Sequence, residues 1–184
     1  VRKAICLIVI MSLTIGVIGC KEKTDLEKFS DPNFKLANHT KIQGVFTLPG
    51  GYRLLEHLGM NIDLLSDPEP CTEFIPQKNV LRMRSALKDK DVEIKIINVI
   101  GDDLYFYENG KILKAKLFYS ASGELEAYKV YGIDKKGDDQ AIAIGQGGIA
   151  PAGYFEECVK NSEALYESAQ AEEEQTKGKG IGPH

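Results

Sequence analysis

The sequence predicts an α+β domain: an antiparallel β-meander of five or six strands, open sheet or partial barrel, with a short N-terminal helix and a C-terminal helix packed on it. Three observations predict it. Asn109-Gly110 stands between two alternating apolar runs, and a type I′ hairpin turn needs the positive φ that Asn and Gly tolerate best. Val92, Ile94 and Ile96 alternate with Glu93 and Lys95, which is the period of a half-buried strand. Near the end of the chain, Phe155, Cys158, Val159, Ser162, Tyr166 and Ala169 fall on one helical stripe, which should lie on the sheet.

Taken in order, Lys21 to Phe34 is charged and sparse in apolar residues, so residues 20–40 read as a tether, with a short helix around Thr24–Phe29. The globular domain is expected over residues 41–170. A first short strand is expected over residues 42–48, stopped by Pro49-Gly50-Gly51. Leu54, Leu55 and Leu58 then recur at helical spacing up to Gly59. Ser66 to Cys71 holds two prolines and reads as a rigid loop. Asn79–Lys88 fits either a strand or a helix. Strands follow over Val92–Ile100, Leu104–Tyr107, Lys111–Tyr119, Glu124–Ile133 and Gln140–Ile144, each bounded by Gly, Asp, Asn or Ser turns. A two-residue turn at Asn109-Gly110 pairs Glu108 with Lys111, Tyr107 with Ile112, Phe106 with Leu113, and Leu104 with Ala115. Residues 171–184, rich in Glu, Gly and Lys, read as a disordered tail.

Gly145-x-Gly147-x-x-Ala150 fits a loose dinucleotide-binding pattern. The strands before it connect by hairpins, however, and offer no βαβ crossover. The glycines are therefore read as the turn from sheet to helix, opened by Pro151 and Ala152, and no cofactor is expected. His39, His57 and His184 form no metal-ligand spacing, so no metal is expected either.

The amino end carries Arg2 and Lys3, then an apolar core over Ala4–Ile18, then Val17-Ile18-Gly19-Cys20 and the charged Lys21-Glu22-Lys23. The core is about 15 residues, the length of a signal-peptide core and short of the roughly 20 a spanning helix needs. The segment resembles the signal peptide and lipobox of bacterial lipoproteins. That resemblance covers the first 20 residues alone. It implies a signal peptide over residues 1–19, cleavage before Cys20, and acyl chains on that cysteine that hold the protein to a membrane. Lys21 after the cysteine is similar to the outer-membrane sorting pattern of enteric bacteria, so the expected location is the cell membrane or outer membrane, facing the periplasm or the exterior.

Cleavage would remove two of the 23 basic residues and none of the 27 acidic ones, so the mature charge falls from −4 to about −6. An acidic chain without a basic stripe is not expected to bind nucleic acid. Cys6 leaves with the signal and Cys20 carries lipid, so Cys71 and Cys158 remain as an even pair in the oxidising compartment that export implies. They are expected to form a disulfide; two free buried thiols are the alternative.

No nucleophile, base and orienting group stand out together. The leading expectation is a non-catalytic binding or structural protein of the cell envelope, with Tyr105 and Tyr107 as a contact surface for an envelope protein partner, beside Tyr128 and Tyr131. The alternatives are a carrier of a lipid or other apolar ligand, since a curved meander covered by a helix can enclose a cavity, and a cell-envelope enzyme.

Overall fold

Asn109 and Gly110 take φ of 48° and 77°, and the strands beside them pair Glu108 with Lys111, Tyr107 with Ile112, Phe106 with Leu113 and Leu104 with Ala115. The local chemistry of this turn therefore sets the register of the middle of the sheet. The computed structural model describes residues 23–59, 69–85, 90–133, 140–148 and 154–178. Cys20, the segment before it and residues 179–184 lie outside the described residues, as do Pro151 and Ala152. The elements are α1 (Asp25–Phe29), β1 (Val45–Thr47), α2 (Gly51–His57), β2 (Cys71–Ile75), β3 (Val80–Arg84), β4 (Val92–Ile100), β5 (Asp103–Glu108), β6 (Lys111–Tyr119), β7 (Leu125–Gly132), β8 (Ala143–Gly148) and α3 (Tyr154–Gly178). A single 3-10 turn lies at Leu36–Asn38.

Each strand pairs antiparallel with the next, and β8 returns to β1, so the strands close into an eight-stranded barrel. This corrects the expected open or partly closed meander of five or six strands. The ring closes through three residue pairs, Val45 with Gly148, Phe46 with Gly147 and Thr47 with Gln146. The glycines expected to make a turn out of the sheet are themselves part of β8. A Cβ on Gly147 would sit 2.6 Å from the Val45 carbonyl oxygen, so only glycine lets β1 approach this closely.

Gly145 has a second role. It pairs with Tyr128 across β7 and β8, and a Cβ there would lie 2.1 Å from Tyr128 Cε1. The missing side chain is the space the ring occupies. Tyr128 is fully buried and meets Phe46 and Phe74 edge-on, with centroids 5.3 and 5.5 Å away. Its hydroxyl lies 2.7 Å from Thr72 Oγ1, and the Thr72 hydroxyl donates to the Phe46 carbonyl at 3.3 Å. Tyr128 donating to Thr72 completes a chain that satisfies both buried hydroxyls. Burial pushes the Tyr128 phenol far above its ordinary value, so it stays a neutral donor.

The inward positions of all eight strands fill the barrel with aliphatic and aromatic side chains. Eight strands leave an interior that side chains can fill or that can hold one small ligand. Both ends are closed over this core. At one end, α2 reaches from beside Ile142, where it starts, to beside Lys111, where it stops, and lays Leu54, Leu55 and Leu58 inward. At the other, Phe34, Leu36 and Ile42 join the same cluster. Asn79, at φ 55° in the β2–β3 turn, clamps this second plug. Its side-chain oxygen accepts from the Leu36 N–H at 2.7 Å, and its side-chain nitrogen donates to the Phe34 carbonyl at 3.0 Å. An Asn side chain here imitates the backbone of a neighbouring strand.

The segment read as a tether is thus folded onto the barrel from Thr24 onward. α1 opens with a capping box between Thr24 and Glu27 and lies on the outer wall of β4 to β6. Phe29 stacks on Tyr105 at 4.7 Å, Leu26 joins the cluster with Ile97 and Ile112, and the Asp31 N–H donates to the Ile97 carbonyl at 3.3 Å. α3 also outruns the expectation, continuing to Gly178 through residues read as tail.

Gly145→Ala should lower stability by about 1–3 kcal/mol, the usual cost of overpacking. A second change, Tyr128→Leu, should cost less in the Gly145→Ala background than alone, because both report on one space. Urea unfolding of the four variants measures this, and strict additivity would remove Gly145 from the packing of Tyr128.

Candidate functional site

α3 meets the barrel over β1 and β2, and its first turns carry the attachment. Phe155 is buried against Val45 and Cys71, with Cys158 and Val159 beside it. Cys71 and Cys158 form the expected disulfide, with Cα atoms 6.1 Å apart and a separation of 87 in sequence. The Ser162 hydroxyl donates to the Glu69 carbonyl at 2.9 Å. Over the outer edge of Phe155 lie two arginines of β3. The Arg82 guanidinium carbon stands 3.9 Å from the ring centroid and that of Arg84 5.4 Å.

These arginines gather three acids. Arg82 contacts Glu73 at 2.5 Å, its neighbour across β2, and Asp91 at 3.5 Å. Arg84 contacts Asp91 and Glu156, each at 2.5 Å. Arg82 Nε, on the guanidinium beside the Phe155 ring, is buried without a hydrogen-bond partner. The hydrogen bond from Arg84 holds the Asp91 carboxyl below its ordinary 3.8, against the opposing effect of burial. Among the described residues, no three His, Cys, Asp or Glu side chains converge on a metal-sized site.

Beside this attachment a groove of about 560 Å³ runs between α3 and the β1–β8 seam. Val45 and Thr47 line it from β1, Gln146 and Gly147 from β8, and Tyr154, Cys158, Asn161, Leu165 and Tyr166 from α3. The shape follows from the closure. A three-residue strand and a glycine-rich one form a low wall, and the helix rises above it. On α3, Tyr154, Cys158, Asn161 and Leu165 recur every three or four residues, a second stripe next to the one that packs. Its apolar members are open to solvent: Leu165 is 71% exposed and Tyr154 47%. Glu69 and Glu157 stand at its polar rim. The volume falls in the range of small-molecule sites, roughly 300–1,000 Å³.

A smaller pocket of about 360 Å³ lies under α1, lined by Asp31, Phe34, Asn79, Lys95, Ile96 and Tyr107 among others. No family model, curated protein or solved structure matches this chain. The site is therefore judged on its own geometry.

The sequence-predicted residues divide clearly. Cys71 and Cys158 come together. Tyr105 does not present a contact surface: its ring is 7% exposed beneath Phe29. Tyr107 is half-buried beside it, Tyr128 is in the barrel core, and Tyr131 is buried. Leu165 and Tyr154 were missed because they fall off the stripe that packs. The signal that could have found them is Tyr154 and Leu165 at helical spacing from Cys158 but off the stripe that packs.

Replacing Cys71 and Cys158 together by Ala should cost about 4–5 kcal/mol in the chain-entropy account, read as a fall in the denaturation midpoint that reductant reproduces in the wild type. The Asp91 contact gives a pH signature. Its folded value lies below its unfolded one, so the stability it contributes is complete above the unfolded value. That stability is lost as pH falls through the folded value. Asp91→Asn should flatten the stability profile between roughly pH 5 and pH 2; an unchanged slope would remove Asp91 from acid sensitivity.

Proposed function

We propose that the protein is a membrane-anchored, non-catalytic carrier of an apolar ligand, bound in the groove between α3 and the β1–β8 seam. The observation that carries this reading is an open groove lined largely by apolar atoms, with Leu165 and Tyr154 exposed on one wall. A closed barrel rich in buried aromatic and aliphatic side chains is an architecture consistent with ligand binding in general. Here the interior positions are occupied and both ends are plugged, so the wall of the barrel is the better candidate than its lumen. The ligand class that fits is an acyl chain or comparable apolar group, with its polar end near Glu69, Gln146 and Asn161 at the rim.

Anchoring through Cys20 belongs to the same reading. Among the described residues, no helix is long and apolar enough to cross a membrane. The outward positions of the barrel include Glu73, Arg82, Glu93, Lys95 and Lys114. Such a wall would be costly in contact with hydrocarbon, where one central Lys or Arg costs about 2–4 kcal/mol. Acyl chains on Cys20 would instead hold the domain beside the bilayer.

The soluble domain carrying Cys20→Ser should take up a fluorescent fatty-acid probe. Leu165→Glu should weaken that uptake about tenfold or more, since burying a Leu contributes ~1.5–3 kcal/mol. Asn161→Trp, which fills the groove, should do the same. Leu165 is exposed and Asn161 lies on the exposed side of α3, so thermal unfolding should hardly change. Undiminished uptake in both variants would exclude the groove as the site.

A further inference from the structure

We propose that the barrel face around α1 rests against an anionic lipid surface, so that the α3 groove opens away from the membrane. The proposal rests on the anchoring of Cys20 and adds an orientation to it. Only Lys21, Glu22 and Lys23 separate Cys20 from Thr24, the residue that caps α1. Four Cα steps span at most about 14 Å even when fully extended. α1 is itself fixed to the barrel by the Phe29–Tyr105 stack and by the hydrogen bond from Asp31 to Ile97. The reach of the anchor is therefore counted from the barrel wall and not from the end of a loose linker.

Topology turns this reach into an orientation. α1 covers β4, β5 and β6 through Ile97, Tyr105 and Ile112, and α3 covers β1 and β2 through Val45 and Cys71. In a closed ring of eight strands, β5 and β6 stand across from β1 and β2. Anchor and groove are on opposite sides of the molecule.

Charge follows the same axis. Between Tyr154 and Glu174, α3 carries seven glutamates against one basic residue, Lys160. On the α1 side, Lys95 has Val80 and Tyr107 as its register neighbours. Lys114 has Tyr105 and Tyr131. No acid stands across from either. The acids of that face have other partners: Asp25 with Lys28, Glu27 in the Thr24 cap, Glu93 with Lys78, and Asp102 and Asp103 with Lys116, while Asp31, in the pocket with Lys95, accepts from the Asn33 N–H. A lysine held near an anionic leaflet is attracted within a Debye length of about 8 Å, and the glutamates of α3 are repelled from it. The dense run of acid on α3 lies on the far side, away from the leaflet.

The test uses the acylated protein in vesicles of phosphatidylethanolamine and phosphatidylglycerol, with a lipid-headgroup energy acceptor. A donor is placed at Phe118→Cys, on the outward row of β6 that includes Lys114, or at Ser168→Cys on α3. Transfer should be several-fold stronger from the first. Lys95→Glu with Lys114→Glu should cut that ratio several-fold while the protein still floats with the vesicles. Equal transfer from the two sites in floating protein overturns the orientation and leaves the anchor standing. A high ratio insensitive to lipid charge and to the two substitutions overturns the electrostatic contact. Protein that does not float overturns the anchor reading, and this proposal with it.

Discussion

The contact between β1 and β8 is the constraint on which the rest depends. Seven of the eight strand pairings join neighbours in sequence, which turn chemistry can bring together. The eighth joins residues some 100 positions apart, through three pairs and a run of glycines. A long-range pairing of this kind meets the full entropy of loop closure before any contact offsets it. What offsets it is the core behind the seam. Phe46 on β1 meets the Tyr128 ring on β7, Gly145 on β8 makes room for that ring, and Thr72 on β2 takes its hydroxyl. Four strands around the closure are tied by one aromatic side chain. Replacing any member of this set affects the ring as a whole.

The seam also explains where a binding site can arise. Elsewhere the outer wall is dressed with long side chains in cross-strand pairs, and α1 covers part of it. At the seam the wall is low, because β1 is short and β8 is nearly bare. α3 is fastened only by its first turns, through Phe155, Cys158 and Ser162. It then continues along and past the wall with Leu165 uncovered. The same glycines that permit closure leave the helix standing over open space. A packing solution and a concavity thus share one origin.

The sequence was most legible where physics is local. The Asn109-Gly110 turn dictated its own register, the alternation at Val92–Ile96 marked β4, and the paired cysteines met. It was least legible where structure depends on distant partners. β2 hid behind a proline loop because Cys71–Ile75 is only five residues long. Gly145 and Gly147 look like a turn unless Tyr128 and β1 are known to lie against them. Residues 24–40 look like a tether because their few apolar groups are divided between two places, Leu26 and Phe29 on the outer wall and Phe34 and Leu36 at the end of the core. Tyr105 looked exposed because the residue that covers it, Phe29, lies 76 positions away. Of the candidate groove, Cys158, Ser162 and Tyr166 were assigned to packing in the sequence and Gly147 to a turn, and none to a site.

The position of the disulfide has a consequence for how such a chain would be made. Cys71 opens β2 and Cys158 lies in α3, so every strand except β1 falls between them. On a chain that crosses a membrane from its amino end, Cys71 emerges long before its partner. During that interval it is a lone thiol exposed to oxidants, able to join a foreign partner. Its proper partner arrives only after β8 has emerged and the ring can shut. On an exported chain the bond would be a covalent record that the last strand has emerged and the ring has shut.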